Sequence, residues 1–162
     1  MNYKNRGMML ESIINKTINF YAGSGIALFH KKDLSISFSK IVEQDGKLKI
    51  NNGRVNKKST ADYYGVYKGN FIAFEAKSTN LNSLPIANIK EHQLNYLYRV
   101  IEHKGKAFFI VCFQRYDEYY IIHPDVIANL KRKSLSIDEA RNIGIRLELI
   151  YPGILDFIEM IK

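Results

Sequence analysis

Two runs of strand-forming residues, Tyr63–Tyr67 and Phe71–Lys77, are separated only by Lys68-Gly69-Asn70. A connection that short, with glycine in it, closes an antiparallel hairpin. The second run, Phe71-Ile72-Ala73-Phe74-Glu75-Ala76-Lys77, is apolar enough for the middle of a sheet. It nevertheless holds an acid and a base two residues apart, and so on one face. Thr60 and Asp62, just before the first run, share a face for the same reason. The turn decides whether these faces coincide. A two-residue loop Lys68-Gly69 sets Asp62 opposite Glu75, and a loop Gly69-Asn70 sets it opposite Lys77. Either register gathers Asp62, Glu75 and Lys77 on one side of the sheet, whereas a three-residue loop separates them.

Two neighbouring carboxylates repel unless a proton or a cation lies between them. Hard oxygen ligands with positions left for water suit Mg²⁺ or Mn²⁺. A lysine beside that cation can orient or deprotonate water, or neutralise charge on a phosphoryl oxygen. Metal-dependent phosphodiester hydrolysis uses this equipment. Glu-x-Lys alone also reads as a surface salt bridge, but a carboxylate in so apolar a strand is expensive without a partner. Gln93 falls between Ile89 and Leu97 on the apolar face of a helix, where a buried amide must find partners. It is either a ligand or water-holder over the hairpin, or a structural hydrogen-bonder. Glu11, at the edge of the first helix's apolar stripe, is either a further carboxylate of the site or a solvated charge.

The remaining chain mixes helices and strands. Met9, Leu10, Ile13, Ile14, Thr17, Ile18 and Tyr21 recur at helical spacing, predicting a helix over about 6–22 that Gly23 and Gly25 end. Ile26–His30 reads as a short strand. Residues 78–84 read as a polar loop, with Pro85 opening a helix near its first turn. Ala107–Phe113 reads as a buried strand with Tyr119–Ile122 as its neighbour, and further helices are expected near 124–131, 136–143 and 154–161. Strands and helices without strict βαβ alternation make an α/β or α+β domain around a mixed sheet. At 162 residues the chain reads as one domain.

Charge is concentrated. The chain carries 24 Lys+Arg against 16 Asp+Glu, a net +8. Residues 31–58 hold eight of the bases and three of the acids, and so five of the eight net charges. Within them Ser35–Lys40 alternates like a strand, with Ile36 and Phe38 on one face. Gln44-Asp45-Gly46 turns the chain, Lys47–Ile50 returns, and Asn51-Asn52-Gly53 breaks the pattern. Such a hairpin is too polar for a core and reads as a basic protrusion over 32–59, suited to a polyanion. Arg54 is its one arginine, a residue fit for bidentate phosphate contact. No apolar run approaches the ~20 residues of a membrane span. The N-terminus has no signal-peptide core, and Cys112 is the only cysteine. Together these point to a cytoplasmic protein without disulfides or a cysteine-rich zinc site. His30, His92, His103 and His123 show no metal spacing. There is no phosphate-binding glycine loop or nucleophile elbow.

Several segments are similar to the RecU family of bacterial Holliday junction resolvases, members of the restriction-endonuclease-like PD-(D/E)-x-K nucleases. They are Asn5-Arg6-Gly7-Met8, Leu10-Glu11 and Ile14-Asn15, then Ile26-Ala27 and His30-Lys31-Lys32. Ser59 through Gly69, Phe74-Glu75-Ala76-Lys77 and Glu91-His92-Gln93 continue the match in family order. The resemblance weakens after about residue 125. Ala61 stands where the family often has a second threonine, and Lys58 where it often has proline.

This resemblance implies an α/β fold, a mixed sheet flanked by helices, with the basic hairpin as a protruding stalk. It implies a homodimer that nicks symmetric strands of a four-way junction in recombination and repair, leaving 5′-phosphate ends. Thr60, Asp62, Glu75 and Gln93 fall on the positions for Mg²⁺ (Mn²⁺ as substitute), Lys77 on the catalytic lysine and Glu11 on the helix-one acid. Arg54, Lys47, Lys49, Lys57 and Lys58 of the stalk, with Lys31 and Lys32 at its root, are the expected DNA contacts. RecA recombinase and a branch-migration helicase are the implied protein partners. The competing readings are a restriction-like nuclease on flaps or duplex, and a junction-binding protein that does not cut.

Overall fold

A computed structural model describes residues 6–33, 35–37, 39–51, 53–57 and 60–161. Asn5, Phe38, Asn52, Lys58 and Ser59, all named above, lie outside the described residues. The centre is a six-stranded sheet: β1 (Leu28–Lys31), β6 (Tyr63–Tyr67), β7 (Asn70–Thr79), β9 (Lys106–Phe113), β10 (Glu118–Ile122) and β12 (Ile145–Leu147), in that spatial order. Only β7 and β9 run parallel. The helix α2 (Glu91–Glu102) crosses between them, as a parallel pair requires.

Both faces of the sheet are covered, which is why Ala107–Phe113 is apolar without alternation. On one face lies α1 (Arg6–Gly23). Its Leu10, Ile14, Ile18 and Tyr21 pack on Phe29, Tyr63, Ile72, Phe74, Phe108 and Phe157. Phe74 stacks between Tyr63 at 5.0 Å and Phe108 at 5.2 Å. On the other face, Leu97 and Val100 of α2 meet Ala73, Ala107, Phe109 and Val111. Two short helices, α3 (Pro124–Ala128) and α4 (Ile137–Ile143), complete that layer.

Three expectations are corrected. Residues 78–84 are not simply a loop: β7 runs on to Thr79, and β8 (Ser83–Pro85) pairs with β11 (Ser134–Ser136). Pro85 ends that strand rather than opening a helix. A 3₁₀ turn over Ile86–Asn88 follows, and α2 begins only at Glu91. Residues 154–161 form no α-helix. There β14 (Ile154–Leu155) pairs with β13 (Leu149–Ile150), and a 3₁₀ turn spans Glu159–Ile161. The cause lies on α1. The Thr17 hydroxyl accepts Leu155 N–H at 2.9 Å, and the Tyr21 hydroxyl accepts Phe157 N–H at 3.0 Å. These bonds to α1, with the pairing of β14 to β13, hold the stretch in an extended course.

The basic segment folds as an antiparallel ribbon between β1 and β6. At its root β2 (Ser35–Ser37) pairs with β5 (Arg54–Lys57), and further out β3 (Lys40–Gln44) pairs with β4 (Lys47–Asn51). Asp45 and Gly46 turn the outer hairpin with φ of 56° and 69°, the left-handed pair of a two-residue turn that follows the strand twist. Ile41 faces Ile50, and Val42 faces Lys49.

Candidate active site

The hairpin register settles the geometry. Lys68 and Gly69 have φ of 46° and 78°, and Tyr67 pairs with Asn70 and Tyr63 with Phe74. The loop therefore has two residues, and Asp62 comes level with Glu75. The β6–β7 ladder stops at this point. The Asp62 carboxylate accepts Ala76 N–H at 3.1 Å, while its backbone carbonyl accepts Lys32 N–H at 2.8 Å. Asp62 is thus fixed where two strands begin to part.

Glu75 lies on the α2 side of β7 and is fully buried. One oxygen, Oε2, accepts Lys77 Nζ at 2.9 Å and Gln93 Nε2 at 2.5 Å. The Gln93 carbonyl in turn accepts Lys77 Nζ at 3.2 Å and Lys90 N–H at 3.2 Å. The amide is therefore spent three ways: it closes the first turn of α2, holds the lysine and holds the acid. The other oxygen, Glu75 Oε1, is buried and has no hydrogen-bond donor among the described residues. Burial, and secondly the adjacent Asp62 charge, push the Glu75 carboxyl up to about 8, with Lys77 pulling the other way. A proton or a cation between the two carboxylates removes that conflict.

The donor set fits a small hard dication. It offers two adjacent carboxylates, one with an orphaned oxygen, and an amide oxygen nearby, without sulfur or imidazole. Among the described residues no three His, Cys, Asp or Glu converge as a closed cage, so water and substrate oxygens must complete such a site.

Of the other expected residues, Glu11 and Lys31 lie on the α1 side of Asp62, whereas Thr60 lines a groove on the α2 side with Tyr96, Arg99 and His103. Glu11 pairs with Lys31, and Lys32 donates to the Thr60 hydroxyl. Glu11, Lys31, Lys32 and Asp62 line a cleft of about 150 Å³ with Tyr63 and Ser78. Thr60 therefore lies with Lys32, outside the hydrogen-bonded group of Glu75, Lys77 and Gln93. Lys47, Lys49 and Arg54 are exposed on the ribbon, and Lys49 Nζ donates to Gln44 at 2.7 Å. Lys57 is in β5. Strand spacing reads Tyr63 as core, which it is, but gives it no place beside the site; its hydroxyl donates to Asn15 at 3.0 Å, and burial and then the Glu11 and Asp62 charges push its pKa up. Sequence reasoning missed Ser78 in the cleft. The only signal for either was its position beside Asp62 or Lys77.

Comparison with known proteins gives a consistent picture. The family model described as "Recombination protein U" matches residues 5–162. A protein of Mycoplasmopsis pulmonis named Holliday junction resolvase RecU is 39% identical over 98% of this chain and 95% of its own. A protein of the same name from Ureaplasma parvum is 39% identical over 100% of this chain and 95% of its own. Among solved structures, the Holliday junction resolvase Hjc of Archaeoglobus fulgidus superposes with a TM-score of 0.54 at 8% identity. That match covers 84% of this chain and 94% of the other, and it speaks for the fold alone.

Proposed function

The chain belongs to the RecU family, and from that premise we propose that it is a Holliday junction resolvase: a metal-dependent endonuclease that nicks opposed strands of a four-way DNA junction in recombination and repair. One observation carries the reading. A fully buried glutamate with an orphaned oxygen sits against an aspartate, and a lysine and an amide are fixed on its other oxygen.

Asp62 and Glu75 would hold Mg²⁺, or Mn²⁺ in its place, with Gln93 contributing directly or through water. Thr60 would join after releasing Lys32. The cation, when bound, supplies Lewis acidity to the scissile phosphate and the attacking water. Lys77 needs no long-range motion to act, because Glu75 and Gln93 already hold its ammonium beside the carboxylates. There it neutralises charge that builds on the phosphoryl oxygens. Water adds to phosphorus and the bond to the 3′ oxygen breaks, leaving a 5′-phosphate and a 3′-hydroxyl. Glu11, on the cleft wall with Asp62, would accept or orient a proton.

The chain acts as one nuclease domain, residues 1–162, with the stalk inserted at about 32–59. Two nicks on opposed strands call for two centres, hence a homodimer. Stalk cations would touch phosphates, which carry no sequence information, so selectivity would rest on junction shape. RecA recombinase and a branch-migration helicase are the protein partners this reading expects.

The test is cleavage of a synthetic four-way junction beside flap and linear duplex controls, with Mg²⁺, with Mn²⁺ and with chelator. Junction-selective, metal-dependent nicking is expected. Cutting of flap or duplex in preference would favour the restriction-like alternative. Binding without cutting in every metal would leave a junction-binding protein.

A further inference from the structure

Parallel β7 and β9 end at one edge of the sheet, and α2, their crossover, begins there. The stalk springs from the same edge on one flank of β7, since Lys31 at the end of β1 pairs with Tyr63 at the start of β6. The opposite flank is built from the loops after β7 and β9 and from the β8/β11 ribbon. Gln114 N–H donates to Thr79 O at 2.9 Å, and Tyr116 donates to Asn82 Oδ1 at 2.9 Å. Arg115 reaches that same oxygen at 3.4 Å. At the other end of the ribbon Ile86 N–H donates to Lys133 O at 3.0 Å. This fixes Lys131-Arg132-Lys133 against the turn that leads through Lys90 to Gln93.

Arg115, Lys131, Arg132 and Lys133 are exposed. Among the described residues no salt bridge engages any of them. Glu139, whose pKa Arg132 helps to lower, is already bonded by the Ser136 amide at 2.9 Å and hydroxyl at 2.7 Å. Leu84 and Leu135 point into the core, so the ribbon's outward residues are the small Ser83, Pro85, Ser134 and Ser136. A ribbon of three residues spans ~10 Å, and it sets Arg115 and the three-base run at its two ends. Cations so placed repel one another until a polyanion neutralises them.

We infer that this edge is a second phosphate-contact surface, which grips a duplex arm of the DNA on the flank of the active site away from the stalk. The inference rests on the nuclease reading above and adds to it: the scissile strand passes between two basic elements, one meeting the branch point and one an arm. An arm is ordinary duplex, so this surface contributes equally to junction and linear DNA.

The test uses the full chain with Lys131→Ala, Arg132→Ala and Lys133→Ala together, titrated in chelator on a four-way junction and on linear duplex across a salt series. The slope of log affinity against log salt should fall by about two to three on both DNAs, near one per lost contact. Affinity for the two should fall by the same factor. The charge-preserving set Lys131→Arg, Arg132→Lys and Lys133→Arg should bind as the unmodified chain does. Unchanged slopes in the alanine variant would overturn the inference, and so would a loss confined to the junction. If the triple variant melts early, Arg115→Ala gives the same reading, with a slope change of about one expected on both DNAs and none overturning it. Failure of the nuclease reading shows separately, as an unmodified chain that does not cut junctions, whatever the triple variant does.

Discussion

Burial strips water from the Glu75 carboxylate, Asp62 adds a second negative charge beside it, and Lys77 offsets only part of the conflict. The folded carboxyl titrates near 8, against 4.5 ordinarily. Between those values the folded protein keeps a proton that the unfolded chain has released. Stability contributed by the protonated form is therefore full below about 4.5 and lost as pH rises towards 8. In chelator, the thermal midpoint should fall across that window, and Glu75→Gln, which cannot titrate, should fall less. Parallel profiles for the two proteins would remove the basis for a strained acid. Lys77→Ala should slow junction cleavage by roughly 10²-fold or more, the usual scale for a preorganised electrostatic group, while Mg²⁺ still binds. A variant within a few-fold of the unmodified rate would reduce Glu75 and Lys77 to a structural ion pair. The meeting of Glu75, Lys77 and Gln93 is legible in the sequence, because an acid in an apolar strand and an amide on an apolar helix face both demand partners. The bond from Lys32 to Thr60 is not legible, because neither residue sits in a periodic element that would fix its direction.

At the scale of elements, hairpins and long runs are readable and short irregular pairings are not. The β6–β7 hairpin is readable from its short glycine turn, but its register stays open between Lys68-Gly69 and Gly69-Asn70 until the pairing of Tyr67 with Asn70 fixes it. By contrast β8 and β11 have three residues each and pair residues 49 or more apart in the chain, and no local pattern announces a pairing of that range. The stretch 154–161 carries apolar residues at helical spacing, yet Thr17 and Tyr21 on a distant helix claim its amides. The stalk was legible from alternation and charge together. Its isoleucines remain half exposed, with Ile41 at 47% and Ile50 at 50%, so its removal takes little from the core. Replacing residues 36–52 by a short Gly-Ser bridge should leave the circular dichroism of the body intact and lower junction affinity far more than duplex affinity. Arg54 stays in that variant, so the effect reports on the protrusion. An equal drop on both DNAs at matched salt would make the stalk a generic basic patch.

In the whole molecule, six strands bring β1, β6, β7 and β9 to one edge, where the buried Glu75 and the half-buried Asp62 lie between two basic flanks. No helix among the described residues is long and apolar enough to cross a membrane. The central claim is that Asp62 and Glu75 together form the metal-dependent cutting centre, separable from DNA binding. Asp62→Asn and Glu75→Gln each remove a charged ligand at almost constant volume. The most direct measurement pairs equilibrium binding with mapped cleavage of end-labelled strands on one four-way junction in Mg²⁺, for the unmodified chain and both variants. Equal junction affinities are expected for all three, with opposed nicks from the unmodified chain and none from either variant. Cleavage by Asp62→Asn or Glu75→Gln at the unmodified rate in saturating Mg²⁺ would contradict the assignment of the site.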